Sequence, residues 1–125
     1  METKKSSCNC SSNGEMLVMA CSGASDIGCL SDKVARKLRD NGVRSMKCLA
    51  MVAADNQPLI ESLKTANVLI IDGCSVDCGK KIMDKAGITN YGYLRLTDHG
   101  FQKGQTPVND ENINKAYEIA ETCWK

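Results

Sequence analysis

Val68-Leu69-Ile70-Ile71-Asp72-Gly73-Cys74-Ser75-Val76-Asp77-Cys78 is the stretch that decides the fold. Four apolar residues in a row fit a strand buried on both faces, the kind that parallel sheets contain. Asp72-Gly73 turns the chain, and Ser75 can cap a helix that is expected to end at Ala86-Gly87. A buried strand, a tight turn and a helix make one half of a parallel crossover unit.

The same unit recurs on either side. Met16-Leu17-Val18-Met19-Ala20-Cys21 is a second short apolar run, followed by the turn Ser22-Gly23-Ala24-Ser25. Ser25 can cap a helix from Asp26 to about Asp40, where Ile27, Leu30, Val34 and Leu38 recur at helical spacing and Asn41-Gly42 ends the pattern. Met46 to Val52 reads as a further strand, 53–58 as a loop, and Leu59 to Ala66 as a short helix. Tyr91 to Leu96 reads as a fourth strand that turns out at Thr97-Asp98-His99-Gly100. Asn109-Asp110 opens a last helix whose Ile113, Ala116, Tyr117, Ala120, Cys123 and Trp124 form one apolar stripe. The expected fold is a single three-layer α/β domain over 16–125, behind a polar tail over 1–15. Its sheet has about four mostly parallel strands, with helices on both faces. If the first and third strands are neighbours, ligands belong beyond their carboxyl ends.

Composition narrows the function. The chain has 125 residues, 42% apolar and 25% charged, which suits one globular domain. Sixteen basic against fifteen acidic residues give a net charge of +1, so no electrostatic footprint for nucleic acid or an anionic membrane is present. No apolar run approaches the roughly 20 residues of a membrane-spanning helix, and the first residues lack the apolar centre of a secretory signal. A cytoplasmic location, with reduced thiols and no structural disulfide, is expected. In that compartment a chain with eight cysteines (8, 10, 21, 29, 48, 74, 78 and 123) more often binds metal or does redox chemistry than staples itself.

Three of these cysteines share a place. Cys21 and Cys74 end the first and third strands, and Cys78 lies in the first turn of the following helix. All three are expected at the carboxyl edge, where a helix N-terminus favours thiolate. Cys74-x3-Cys78 resembles a metal-ligand spacing, though more loosely than a paired CxxC does. The bland alternative is that small cysteines line strand ends as core residues. The same weighing goes against the rest. Cys48 shares a strand face with Met46 and Ala50 and reads as core; Cys123 lies on the core stripe; Cys29, opposite its stripe, reads as an exposed thiol. Cys8 and Cys10 belong to the tail, and His99 reads as a solvated loop residue. Asp72 is weighed evenly between a turn-stabilising role and holding the cysteine loop.

Cys21-Ser22-Gly23-Ala24-Ser25, Met46-Lys47-Cys48-Leu49-Ala50, Ile71-Asp72-Gly73-Cys74-Ser75-Val76-Asp77-Cys78-Gly79-Lys80-Lys81 and Leu96-Thr97-Asp98-His99-Gly100 together resemble the DGC-domain family, named for its Asp-Gly-Cys motif. The resemblance runs from about Leu17 to Lys103. It implies zinc binding through four cysteines, and it makes Cys48 the fourth ligand beside Cys21, Cys74 and Cys78. It does not recruit Cys29. Met51-Val52-Ala53-Ala54 departs from the family, which usually has a glycine-containing stretch there.

Other thiol chemistries fit less well. A phosphatase-type loop needs an Arg six residues after its cysteine, but Ile27 stands there. A thioredoxin-type site needs Cys-x-x-Cys, which this chain lacks. The Gly-containing turn 22–28 has no phosphate-loop Lys. Two readings remain: a zinc-binding carrier, sensor or docking module, or a redox protein, metal-dependent enzyme or iron–sulfur protein using the same thiolates. No catalytic residue, substrate or protein partner is assigned; the partner expected is a metal ion.

Overall fold

A computed structural model describes residues 15–123. The expected tail, with Cys8 and Cys10, and the stripe residue Trp124 lie outside the described residues. The elements run β1 (Met16–Ala20), α1 (Asp26–Asp40), β2 (Ser45–Met46), α2 (Leu49–Ala53), α3 (Gln57–Leu63), β3 (Asn67–Asp72), α4 (Cys78–Lys85), β4 (Gly92–Arg95) and α5 (Asp110–Glu121), with a 3-10 turn over Leu96–His99. The sheet order is β2-β1-β3-β4, and every pairing is parallel. β1 and β3 are therefore the central neighbours, Met16 facing Asn67 and Ala20 facing Ile71.

Alternation along the strands divides the core in two. Val18 and Ala20 of β1, with Leu69 and Ile71 of β3, face α1 and α5; their cluster holds Ile27, Leu30, Val34, Leu38, Ala116 and Ala120. Leu17 and Met19, with Val68 and Ile70, face the other way onto Leu49, Val52, Leu59, Ile60, Leu63 and Met83 of α2, α3 and α4. Helices thus cover both faces, as a sheet of continuous apolar strands requires.

Two expectations change. The strand over Met46–Val52 is only the two residues of β2, and the chain turns helical at Leu49. Leu49 and Val52, three apart, are the pair α2 buries, so the apolar run follows a helical period after Cys48. Helix α4 starts at Cys78, and Ser75 does not cap it. Its first free amides go instead to the carboxylate of Asp72, seven and eight residues upstream of Gly79 and Lys80. Ser25 does cap α1, accepting from Gly28 N.

At the amino edge Arg44 is buried among backbone carbonyls. Its guanidinium donates to Leu17 O (2.9 Å), Asn67 O (3.0 Å) and Asn67 Oδ1 (2.9 Å), joining the starts of β1 and β3. Burial pulls it down to about 10, which leaves it charged at neutral pH.

Candidate functional site

Three strand ends carry a cysteine to one edge. Cys21 follows β1 directly, and its amide still pairs with Ile71 O at 3.0 Å. Cys74 lies two residues beyond β3. Cys48 lies two beyond β2, after Lys47 N has donated to Val18 O at 3.0 Å. Cys78 is the first residue of α4. Cys21 and Cys74 are half-buried, while Cys48 and Cys78 are exposed. Cys48 is therefore not a core residue. It precedes α2 with its side chain in solvent, because the strand that would have buried it ends at Met46.

Glycines bring the two central loops together. A Cβ on Gly28 would lie 2.7 Å from backbone atoms of Gly23, and one on Gly73 would lie 2.9 Å from the backbone of Ile27. No side chain fits either gap. The loop carrying Cys21 thus lies against the start of α1, and the loop carrying Cys74 against the same turn. Two non-glycine residues here hold left-handed backbone: Ser22 (φ 51°), next to Cys21, and Asp77 (φ 58°), next to Cys78. Such conformations cost about 1 kcal/mol or more and need local support. Ser22 donates its hydroxyl to Asp32 Oδ1 at 2.8 Å. Asp77 is held by Arg95, whose Nε and Nη2 reach its two carboxylate oxygens at 2.8 and 2.6 Å.

Asp72, 1% exposed, organises the start of α4. Its carboxylate accepts from Gly79 N (2.8 Å), Lys80 N (3.1 Å) and the Tyr93 hydroxyl (2.7 Å). Of the two roles weighed for Asp72, it holds the cysteine-bearing segment. The positive end of α4 is thereby matched first to a buried carboxylate rather than to the thiols. Tyr93 Oη also lies 2.8 Å from Asp77 Oδ1, so one phenol faces two carboxylates. Burial first, then these hydrogen bonds, push Tyr93 far above its ordinary value. The Arg95 hydrogen bonds hold Asp77 below the usual carboxylate range. Neither Tyr93 nor Arg95 carries a sequence signal of this role; β4 simply places both side chains beside the loop.

The individual thiols have distinct neighbours. Cys21 Sγ is 3.2 Å from Ser31 Oγ, a fully buried hydroxyl that donates to Gly28 O at 2.7 Å. With its proton so directed, Ser31 is left to accept from the Cys21 thiol. Cys74 packs against the α1/α5 core, and Lys103 Nζ reaches within 3.9 Å of its Sγ. Lys103 had no mark in the sequence. Lys80, in the first turn of α4, pairs with Asp84 at 3.6 Å. Cys29 is half-buried rather than exposed. Cys123 is half-buried against the core, and burial raises its thiol. His99 is exposed in the 3-10 turn, at a cleft of about 300 Å³ lined also by Phe101, Gln102, Thr106 and Lys115.

All six described cysteines are free thiols. Their donor chemistry suits a soft metal ion such as zinc, which takes four thiolates tetrahedrally. Their arrangement is not that of an assembled site: among the described residues no three His, Cys, Asp or Glu side chains are grouped to hold a metal ion. The edge therefore carries four thiols with no preformed cage among the described residues.

The sequence model of the DGC domain matches residues 17–120, a span that includes all four edge cysteines. The chain belongs to the DGC-domain family. A relative within reach of this DGC domain is the Anaerobic and virulence modulator AnvM of Pseudomonas aeruginosa (strain PAO1), 31% identical over 88 residues, which cover 70% of this chain and 67% of AnvM. No solved structure matches the chain. Among the described residues of this DGC domain, no helix is long and apolar enough to cross a membrane.

Proposed function

We propose that this DGC domain is a cytoplasmic zinc-binding module whose ligands are Cys21, Cys48, Cys74 and Cys78, acting as a carrier, sensor or docking unit. One observation carries the reading: three parallel strands and the following helix each deliver a thiol to the carboxyl edge, where α/β folds take their ligands. The exposure of Cys48 supports it, since a ligand must be reachable and a core residue need not be. Zinc at this edge would cross-link four thiolates and offset half of their charge. Cys48 and Cys78 are exposed side chains that can rotate without displacing core atoms, so the ligand set is assembled on binding. A domain with two full apolar clusters does not need a metal in order to fold, which favours a role for the metal in function. The name of AnvM, a modulator, suits a sensing or docking role better than turnover.

Metal analysis with two variants tests the reading. Wild type should hold one zinc and be colourless, Cys74→Ser should lose it, and Cys29→Ser should keep it. Full occupancy in Cys74→Ser would remove the site assignment, and a brown protein would replace zinc by an iron–sulfur cluster. A second reading, thiol redox chemistry at the same edge, draws on the contact between Lys103 and Cys74. A metal-free protein whose Cys74 outpaces Cys48 and Cys78 in alkylation would favour it.

A further inference from the structure

The segment after β4 is tied at three points. Phe101 is buried in the α1/α5 core. Thr106, 5% exposed, closes the loop on itself: its Oγ1 accepts from Gln102 N at 3.0 Å and donates to Gln102 O at 2.7 Å. Asp26, the first residue of α1, accepts from Gly104 N and Thr106 N, both at 2.9 Å. Between these ties stands Lys103, whose ammonium lies 3.9 Å from Cys74 Sγ across 29 positions of sequence. The loop is short, closed by hydrogen bonds and anchored in the core. These ties fix the backbone at position 103, from which the exposed lysine side chain reaches Cys74.

An ammonium is a compact charge with three donors and no shape preference. At the mouth of a thiol site it raises the local concentration of anions and favours species of net negative charge. Of the other cations near this edge, Arg95 has both ends of its fork on Asp77, Arg36, on the Cys48 side, is paired with Asp32 at 2.6 Å, and Lys80 is paired with Asp84. Lys103 has Cys74 as its sulfur-bearing neighbour.

We infer that Lys103, set by the Asp26-tied loop, is the counter-charge of the thiol edge and makes Cys74 selective for small anionic sulfur compounds over neutral ones. An anionic disulfide is the simplest of these. In that exchange Cys74 gives its proton to solvent and its sulfur attacks one sulfur of the disulfide. The disulfide bond breaks, a mixed disulfide forms on Cys74, and the other half leaves as a thiolate. The same positive charge would offset the net negative charge of zinc held by four thiolates. That second consequence rests on the zinc reading, whereas the first does not.

The experiment compares two disulfide reagents on metal-free protein, the dianionic bis(nitrobenzoate) disulfide and the neutral dipyridyl disulfide. Peptide mapping follows the mixed disulfide at Cys74, with Cys74→Ser as the blank. Lys103→Met should lower the rate with the dianion about fivefold to tenfold and leave the neutral rate within about twofold. Lys103→Arg should restore the dianion rate, and added salt should erase the wild-type advantage. Equal losses with both reagents, or a dianion rate that neither salt nor Lys103→Met changes, would overturn the inference. In a parallel zinc competition against a chromophoric chelator, Lys103→Met should weaken binding about tenfold. If wild type binds no zinc, the zinc reading fails alone, and the reagent ratio still judges Lys103.

Discussion

At the amino edge of the sheet a single buried cation fastens the chain. Arg44, 3% exposed, gathers carbonyls from Leu17, Asn67 and, at 3.4 Å, Cys123, so that β1, β3 and the end of α5 share one guanidinium. At the carboxyl edge the chain is held by backbone-to-backbone fits at Gly23, Gly28 and Gly73, and by carboxylates that reach along the sequence from Asp26 and Asp72. Among the described residues the first edge carries one thiol, Cys123, half-buried beside that guanidinium. The second leaves four thiols half-buried or exposed, flanked by two residues in left-handed backbone. The contrast teaches where each edge can tolerate change. Side-chain hydrogen bonds seal one end, and close backbone approach positions the other.

Replacing the cation should give the largest effect. Arg44→Met leaves several carbonyls without their donor in a buried place and should lower stability by about 3 kcal/mol. Denaturant titration would measure that loss. The reactivity of Cys74 toward alkylation should stay at the wild-type rate, because distant sites act independently; a changed rate would mean that the two edges are coupled. Gly28→Ala is the complementary case. Its methyl would stand 2.7 Å from three backbone atoms of Gly23, and overpacking of this kind costs about 2 kcal/mol. Unlike Arg44→Met, it should also alter the alkylation rates of Cys21 and Cys74, since the loops must part to admit it.

A smaller effect depends on pH. Amide hydrogen bonds, first from Gly104 and then from Thr106, hold Asp26 below its ordinary value of 3.8. A folded value below the unfolded one stabilises the fold above the unfolded pKa and loses that contribution as pH falls through the folded value. The stability gap between wild type and Asp26→Asn should therefore be constant above about pH 5 and shrink below about pH 4. A gap that persists unchanged to pH 2 would show that the ionised carboxylate is not what secures the loop. Cys29→Ser should be the smallest change, within about 0.5 kcal/mol, because the half-buried thiol makes no hydrogen bond to the described residues that serine would lose.

Legibility in the sequence followed the range of the forces involved. The runs at Met16–Ala20 and Val68–Ile71, the Ser25 cap and the spacing of Ile27, Leu30, Val34 and Leu38 are local signals, and β1, β3 and α1 formed as those signals said. The apolar stretch after Met46 misled because a short unbroken run fits a buried strand and a buried helix equally; only the burial of Leu49 and Val52 distinguishes them. That error also hid Cys48 in the core. Asp72 could be suspected from its motif, but its service as cap to a helix starting six residues later depends on the loop folding back. Lys103 was beyond reach altogether, for its nearness to Cys74 is made by Asp26 and Phe101, neither adjacent in sequence to the thiol.

The contact of Gly73 with the Ile27–Gly28 backbone, and of Gly28 with Gly23, has a mechanical side. Two loops whose main chains touch with no side chain between them have no cushion to absorb displacement. A shift of the Cys74 loop by a fraction of an ångström must push the first turn of α1, and with it the loop that carries Cys21. The two thiols ride on one joint. A load applied at either, whether a bound ion or a bulky adduct, would be felt along the whole length of α1, and so at α5, the helix packed beside it.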